Sequence, residues 1–285
     1  MEILVTGANG RLGSAIAERR EITGLSRSGA DILADVSDES VSQKIERAEP
    51  DAVVHAAAMH ANECEENPGR AREVNVRGTE NVARAVESID ARMVFISSEH
   101  VFSGDKEEKY SEDDEKDTNL VYGETKIDAE RKVREICSDW TILRSAIMYG
   151  ADESGEASSG NFFSWARNDL KQGNRVDIIT DQVNTPIYIP KLAEIILESI
   201  DRDIDGLFNA GGKSSVSRYE AVKKLKKIHD LDGELNPITR ADLGWEERGE
   251  NYALDTSRLE KNFENKPLSI EEGFRRWRRR IEKSS

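Results

Sequence analysis

The sequence predicts an α/β fold, a Rossmann-type doubly wound parallel sheet with a smaller mixed α/β substrate-binding region. Three observations predict it. An apolar run, Ile3-Leu4-Val5-Thr6, leads straight into Gly7-x-x-Gly10-x-x-Gly13. Short β-rich runs then alternate with longer mixed polar and apolar stretches, the pattern of a parallel sheet covered on both faces. Far downstream, Tyr122 and Lys126 stand four positions apart, a spacing that puts both on one face of a helix.

Taken in order, β-branched and apolar runs place strands at Ile3–Thr6, Ile22–Leu25, Ile32–Ala34, Ala52–His55, Met93–Ser97 and Thr141–Leu143. Between them, Leu12–Arg20, Glu39–Arg47, Ala71–Ser88 and Lys126–Cys137 read as helices. After Gly150 the texture changes. Ala151–Gly160 reads as a Ser/Gly/Glu loop, followed by a helix over Asn161–Lys171 and a strand over Val176–Thr180. Helix Pro190–Ile200 and strand Leu207–Ala210 are expected to return to the sheet, while Ser217–His229 and Ile270–Ile281 read as helical. The expected division is therefore 1–150 for dinucleotide binding, rejoined by 187–212, with 151–186 and 213–285 forming the substrate-binding region. No repeat or low-complexity linker separates the two, so the second half reads as insertions that build a pocket.

The glycines have a specific use. A strand must stop sharply and feed a helix whose first N–H groups face a phosphate. Gly7 takes the turn, Gly10 lets the backbone approach a pyrophosphate, and Gly13 lets helix and strand pack closely. Asn9, Arg11 and Leu12, lying between and beside them, are placed with them against the dinucleotide. The next strand ends in Ser26-Arg27, without the carboxylate that an NAD site uses to hold the ribose 2′-hydroxyl. Arg27 suits a 2′-phosphate, which favours NADPH over NADH. Asp35-Val36 is expected to flank the adenine, and Ala56, Ala57 and Ala58 to leave room for the cofactor at the end of a central strand.

Composition narrows the partners. Of 285 residues 34% are charged, and the formal net charge is −15. That argues against nonspecific nucleic-acid binding and against an anionic membrane surface. No apolar run approaches the roughly 20 residues that span a bilayer, and no signal peptide precedes Met1-Glu2-Ile3, so a cytoplasmic location is expected. Cys64 and Cys137 are isolated from each other and from any His cluster, which fits a reducing compartment and no metal site. The basic tail Phe274-Arg275-Arg276-Trp277-Arg278-Arg279-Arg280 reads as a docked final helix with a solvated Arg face.

Tyr122 and Lys126 supply the chemistry. A free phenol, with a pKa near about 10, exchanges protons poorly at neutral pH. A neighbouring ammonium, helped by the positive nicotinamide of oxidised cofactor, is expected to lower that value and let the phenol protonate a carbonyl oxygen as hydride arrives at carbon. The strand ending in Ser97-Ser98 lies 24 positions before Tyr122 and offers a polarising hydroxyl, with Ser98 preferred and Ser97 the fallback.

These motifs resemble the extended short-chain dehydrogenase/reductase superfamily. Thr6-Gly-Ala-Asn-Gly-Arg-Leu-Gly13, Cys64-Glu-Glu-Asn-Pro68 with Val74-Asn75-Val76, and Ser97-Ser-Glu-His-Val-Phe-Ser-Gly104 are similar to the dTDP-4-dehydrorhamnose reductase family, as are Asp181-Gln182 through Thr185-Pro186 and Leu254-Asp-Thr-Ser-Arg-Leu259. The resemblance covers nearly the whole chain. It implies NAD(P)H-dependent reduction of the 4-keto group of a nucleotide-linked 6-deoxysugar, with Ser98, Tyr122 and Lys126 catalytic. It also implies Ser98, Glu99, Tyr122, Ile147 and Asn161 on the substrate side, a nucleotide-sugar partner and a homodimer. Two departures bear on the sugar. Glu99-His100 stands where that family carries Asp-Tyr, and Ile147 where it carries Trp. Asn161 is also a natural helix cap. Two alternatives share the scaffold: a nucleotide-sugar epimerase or dehydratase, and a regulatory binding module like that of methionine adenosyltransferase.

Overall fold

The computed structural model describes residues 1–150, 161–245 and 248–284. The loop read at Ala151–Gly160 lies outside the described residues. Seven parallel strands form the central sheet. They are β1 (Ile3–Thr6), β2 (Thr23–Ser26), β3 (Ile32–Leu33), β4 (Ala52–His55), β5 (Arg92–Ser98), β6 (Trp140–Ser145) and a last strand, Gly206–Ala210. The spatial order is Gly206–Ala210, β6, β5, β4, β1, β2, β3. The chain thus runs outward from β1 to β3, then returns to β4 on the other side of β1. That reversal opens a crevice at the carboxyl ends of β1 and β4, where open α/β sheets bind ligands.

Period-two alternation divides the strand side chains between two cores. Ile3, Val5, Ala52, Val54, Val94 and Ile96 face the helices Arg11–Ala17 and Ile189–Asp201. Leu4, Val53, Met93 and Phe95 face Ser40–Ala48, Gly78–Ser88 and Val121–Ile136. A third core, away from the sheet, joins the helices Phe162–Lys171, Arg218–His229 and Ile270–Ser284 to the parallel strand pair Arg175–Ile179 and Glu234–Ile238. Phe274 and Trp277 are buried there, while Arg276 and Arg278 pair with Glu272 and Glu282 on their own helix.

Two helices depart furthest from the sequence expectation, for physical reasons. Ala71–Ser88 is not one regular helix. A turn of α-helix, Pro68–Ala71, passes through a π-helical turn, Arg72–Arg77, into the α-helix Gly78–Ser88. The wider turn carries Asn75, which is buried and bonded to Met59, Cys64 and Thr125. The helix expected to begin at Lys126 begins instead at Val121. Its amino end is capped from elsewhere in the chain: the Glu65 carboxylate accepts the N–H groups of Val121 and Tyr122, each at 3.3 Å. A carboxylate at a helix start also meets the positive end of the helix dipole.

The same helix is fastened to the sheet by a buried carboxylate. Glu130 accepts from Ser97 Oγ at 2.7 Å and from Arg144 Nε and Nη2, each at 2.9 Å. Arg144 and Glu130 are both essentially unexposed. Arg144→Met would leave that buried carboxylate with only the more distant, partly exposed Lys116 at 3.4 Å as its cation, and a destabilisation of about 3 kcal/mol is expected from urea unfolding. The double replacement Glu130→Leu/Arg144→Met should recover most of the loss; no recovery would mean the pair is not what holds this contact.

Candidate active site

The carboxyl end of β5 delivers Ser97 and Ser98, and the two point to different neighbours. Ser97 is consumed by Glu130. Ser98 faces the other way, accepts the His100 N–H at 3.2 Å and has its hydroxyl beside the Tyr122 side chain, near enough to favour the phenolate. The structure therefore brings Ser98, not the fallback Ser97, to the phenol. One turn along from Tyr122, Lys126 is 4% exposed and donates to the Ile96 carbonyl oxygen at 2.9 Å. Its ammonium lies 5.8 Å from the centre of the Tyr122 ring and 4.9 Å from that of Phe95.

The electrostatics correct one expectation. With Lys126 beside it, the phenol still lies above its ordinary value. Burial pushes Tyr122 up to about 12, the adjacent Ser98 hydroxyl opposes it, and Cys64 and Glu99 add to it. Burial also lowers Lys126 to about 8, opposed by Cys64 and Glu130. Desolvation is the largest cause at both groups, so the protein by itself keeps the phenol protonated and the amine titrating at about 8.

On the cofactor side, Gly7 adopts φ +70°, and a Cβ there would stand 3.0 Å from the Ala57 backbone. At Gly13 a Cβ would come within 2.5 Å of the Ala8 carbonyl oxygen. Both therefore have to be glycine. Asn9 donates to the Ser28 carbonyl oxygen, bracing the turn against the end of β2. Leu12 is buried in the core beneath the turn, and Arg11 and Gly10 stand nearer the surface. Ala56, Ala57 and Ala58 are half-buried along the crevice wall. Arg27 is exposed at the carboxyl end of β2 and forms no ion pair among the described residues. Asp35 bonds the Ser37 N–H and hydroxyl and pairs with Arg70 at 2.8 Å, while Val36 packs against Gly78. A tight glycine turn, a wall of small side chains and a free guanidinium at the β2 end fit a phosphorylated dinucleotide.

The opposite wall is polar. Glu99 Oε1 accepts the Ile147 N–H at 3.1 Å and the Asn184 Nδ2 at 3.0 Å, and burial pushes its carboxyl up to about 8 despite the nearby Arg218. His100 is held at about 3 by burial and by the charges of Arg218 and Arg248, so it is neutral and serves as a wall rather than an acid. Its ring meets Tyr252 edge-on at 4.7 Å and Tyr122 at 6.1 Å. Arg218 lies 5.0 Å from the Phe162 ring. Asn161 has both side-chain groups occupied: Nδ2 donates to the Met148 carbonyl oxygen at 2.9 Å, and Oδ1 caps the following helix through the Ser164 N–H at 3.1 Å. Asn184, Arg218 and Tyr252 were not singled out from the sequence. Asn184 lay within a stretch marked by the resemblance, but nothing local marked Arg218.

The family described as RmlD substrate binding domain matches residues 1–282. The chain belongs to that family. The dTDP-4-dehydrorhamnose reductase of Mycolicibacterium smegmatis is 29% identical over 81% of this RmlD-family chain and 70% of its own length. The methionine adenosyltransferase 2 subunit beta of Xenopus laevis is 28% identical over 90% of the chain and 81% of itself. The dTDP-4-dehydrorhamnose reductase of Bacillus anthracis, solved in complex with NADP, superposes with a TM-score of 0.87 at 25% identity, covering 97% of this chain and 98% of that one. Among the described residues no helix is long and apolar enough to cross a membrane, and no cluster of three or more His, Cys, Asp or Glu could hold a metal.

Arg27→Ala tests the reading of the β2 end. Losing one charge-assisted contact should raise the NADPH Kd by about tenfold, with NADH affinity unchanged. Equal effects on the two cofactors, measured by fluorescence titration, would remove the 2′-phosphate assignment.

Proposed function

We propose that the chain is an NADPH-dependent reductase of the 4-keto group of a nucleotide-linked 6-deoxysugar. The observation that carries the reading is the convergence of the Ser98 hydroxyl, the Tyr122 phenol and the Lys126 ammonium at the sheet edge that also bears the glycine turn. Gly7, Gly10, Gly13, Ala56–Ala58 and Arg27 are the residues that would hold the cofactor, with Asn9, Arg11, Leu12, Asp35 and Val36 completing its surroundings. Bound NADPH supplies the hydride.

The protein's own residues manage the oxygen and the proton. The hydroxyls of Ser98 and Tyr122 together hold the ketone oxygen. As the carbonyl carbon is reduced, Tyr122 gives its proton to that oxygen, so that ketone, hydride and proton become an alcohol. The high pKa of the Tyr122 phenol suits this direction, because the proton is present at neutral pH. What remains is a phenolate, and the Lys126 ammonium offsets its charge without itself donating. Glu99 and Ile147, joined by the Ile147 N–H, then line the sugar side with Asn184, His100 and Arg218. Asn161 shapes that wall by capping the helix at its edge.

A second reading, a regulatory module without turnover, draws on the likeness to the methionine adenosyltransferase subunit. Oxidation of NADPH in the presence of a dTDP-4-keto-6-deoxysugar decides between them. Intact, NADPH-saturated protein that oxidises none would favour the module.

Tyr122→Phe should lower kcat by about 10³ while the NADPH Kd moves less than about twofold, since only the proton donor is lost. Full activity in that variant would overturn the assignment. The pH profile should fall as pH rises through about 8, where Lys126 loses its charge. Glu99 titrates in the same range, so Glu99→Gln separates the two. The descending limb should persist in that variant, and its disappearance would reassign it to Glu99.

A further inference from the structure

A single hydrogen-bonded line of groups runs beneath the carboxyl edge of the sheet, from the glycine turn to the helix bearing Tyr122 and Lys126. It begins at Ala57, whose N–H donates to Thr6 Oγ1 at 3.2 Å. Thr6 Oγ1 lies 2.7 Å from His55 Nδ1, and His55 Nε2 lies 3.1 Å from Thr79 Oγ1. Thr79 donates to the Asn75 carbonyl oxygen at 2.6 Å. The Asn75 side chain continues the line, donating from Nδ2 to Thr125 Oγ1 at 3.0 Å, and Thr125 donates to the Tyr122 carbonyl oxygen at 2.8 Å. Thr6, His55, Asn75, Thr79 and Thr125 are all buried.

The chemistry of the hydroxyls sets every proton in the line. Thr79 has one hydroxyl proton and gives it to Asn75, so toward the imidazole it only accepts. His55 Nε2 must therefore carry the ring proton, and Nδ1 is bare. Thr6 gives its proton to Nδ1, which leaves its lone pairs for the Ala57 N–H. Burial, with the charge of Lys126 added, lowers the ring to about 3 and keeps it neutral. All the donors point the same way, from the crevice toward the catalytic helix, and bonds aligned in this sense reinforce one another.

The two ends of the line are the two halves of the proposed site. A Cβ on Gly7 would press first on the Ala57 backbone, which places Ala57 at the floor of the cofactor crevice beside the glycine turn. Thr125 sits between Glu124 and Lys126 in the first turns of the helix that begins at Val121. An apolar residue at position 55 would fill the same space beside Phe95, whose ring stacks on His55 at 5.8 Å. It would satisfy neither threonine.

We propose that His55 is a positioning residue: its neutral ring ties the floor of the cofactor crevice to the helix of Tyr122 and Lys126, so that cofactor binding and the placement of the phenol act as one mechanical unit. The kinetic part of this inference rests on the proposed reduction; the affinity and spectroscopic parts do not.

The test compares His55→Leu, Thr125→Val and the double variant with the unaltered chain. NADPH Kd, kcat and KM for a dTDP-4-keto-6-deoxysugar are measured on variants shown folded by circular dichroism. His55→Leu should weaken NADPH several-fold and lower kcat by about 10- to 100-fold, as small misplacements of a reacting group do, with KM for the sugar unchanged. His55→Gln, which keeps one donor and one acceptor, should restore part of both losses. The double variant should be no worse than His55→Leu alone, because one line is cut twice. A folded His55→Leu protein with unaltered Kd and kcat, or strictly additive losses in the double variant, would overturn the proposal. Nitrogen-15 NMR of the unaltered chain tests it without any variant. His55 should show an Nε2–H neutral ring that does not titrate between pH 8 and pH 5, and an Nδ1–H ring or a titration in that interval would overturn the proposal. If the unaltered protein oxidises no NADPH with the sugar, the reductase reading fails, and the Kd comparison and the NMR result still decide the role of His55.

Discussion

The site depends first on where one helix lies against one strand. Val121–Ile136 carries Tyr122, Lys126 and Glu130 at intervals of four, so all three face β5. Glu130 grips the far end of that face through Ser97 and Arg144, and Lys126 grips the middle through the Ile96 carbonyl oxygen. With two points held, the first turn has little freedom, and the Tyr122 phenol is delivered to Ser98. Glu65 completes the arrangement by capping the helix start from a separate segment. Polar groups so deeply buried need every partner, and that need converts a stability requirement into a fixed geometry.

Desolvation then sets the protonation states. It acts in the same sense on every group of the site, against charge, whatever the neighbours contribute. Tyr122 and Glu99 are raised, while Lys126 and His100 are lowered. A phenol that holds its proton suits a donor in the reducing direction. An amine near about 8 remains mostly charged at neutral pH and is available to balance the phenolate. The neutral His100 and the raised Glu99 give the sugar side a wall of hydrogen-bonding groups with little fixed negative charge, next to the cations Arg218 and Arg248.

The formal charge of −15 is distributed away from this interior. Most ion pairs among the described residues are partly exposed, as with Arg70 and Asp35 or Arg72 and Glu124, and such pairs contribute little individually. The buried Glu130–Arg144 pair is different in kind. It defines a register, and losing Arg144 alone leaves Glu130 buried with only the longer Lys116 contact to balance it.

Much of this was legible in the order of residues, because the signals are local. A strand running into spaced glycines, strands with alternating cores and a Tyr and Lys one turn apart each follow from backbone geometry over a few positions. Local signals also carried the sheet class and the candidate hydroxyl at the end of β5. Four decisions came only with the tertiary structure. They are the engagement of the fallback hydroxyl Ser97, the helix start at Val121, the raised phenol of Tyr122 and the entry of Arg218 and Asn184 into the site. Each depends on a partner distant in sequence: Glu130 takes Ser97, Glu65 caps Val121, burial raises Tyr122, and the strand pairing of Val216 with Asn184 brings the segment before Arg218 against the wall holding Glu99. Spacing along the chain determines which side chains share a face; which of them lose water, and to whom they turn, is decided only when separate segments close over one another.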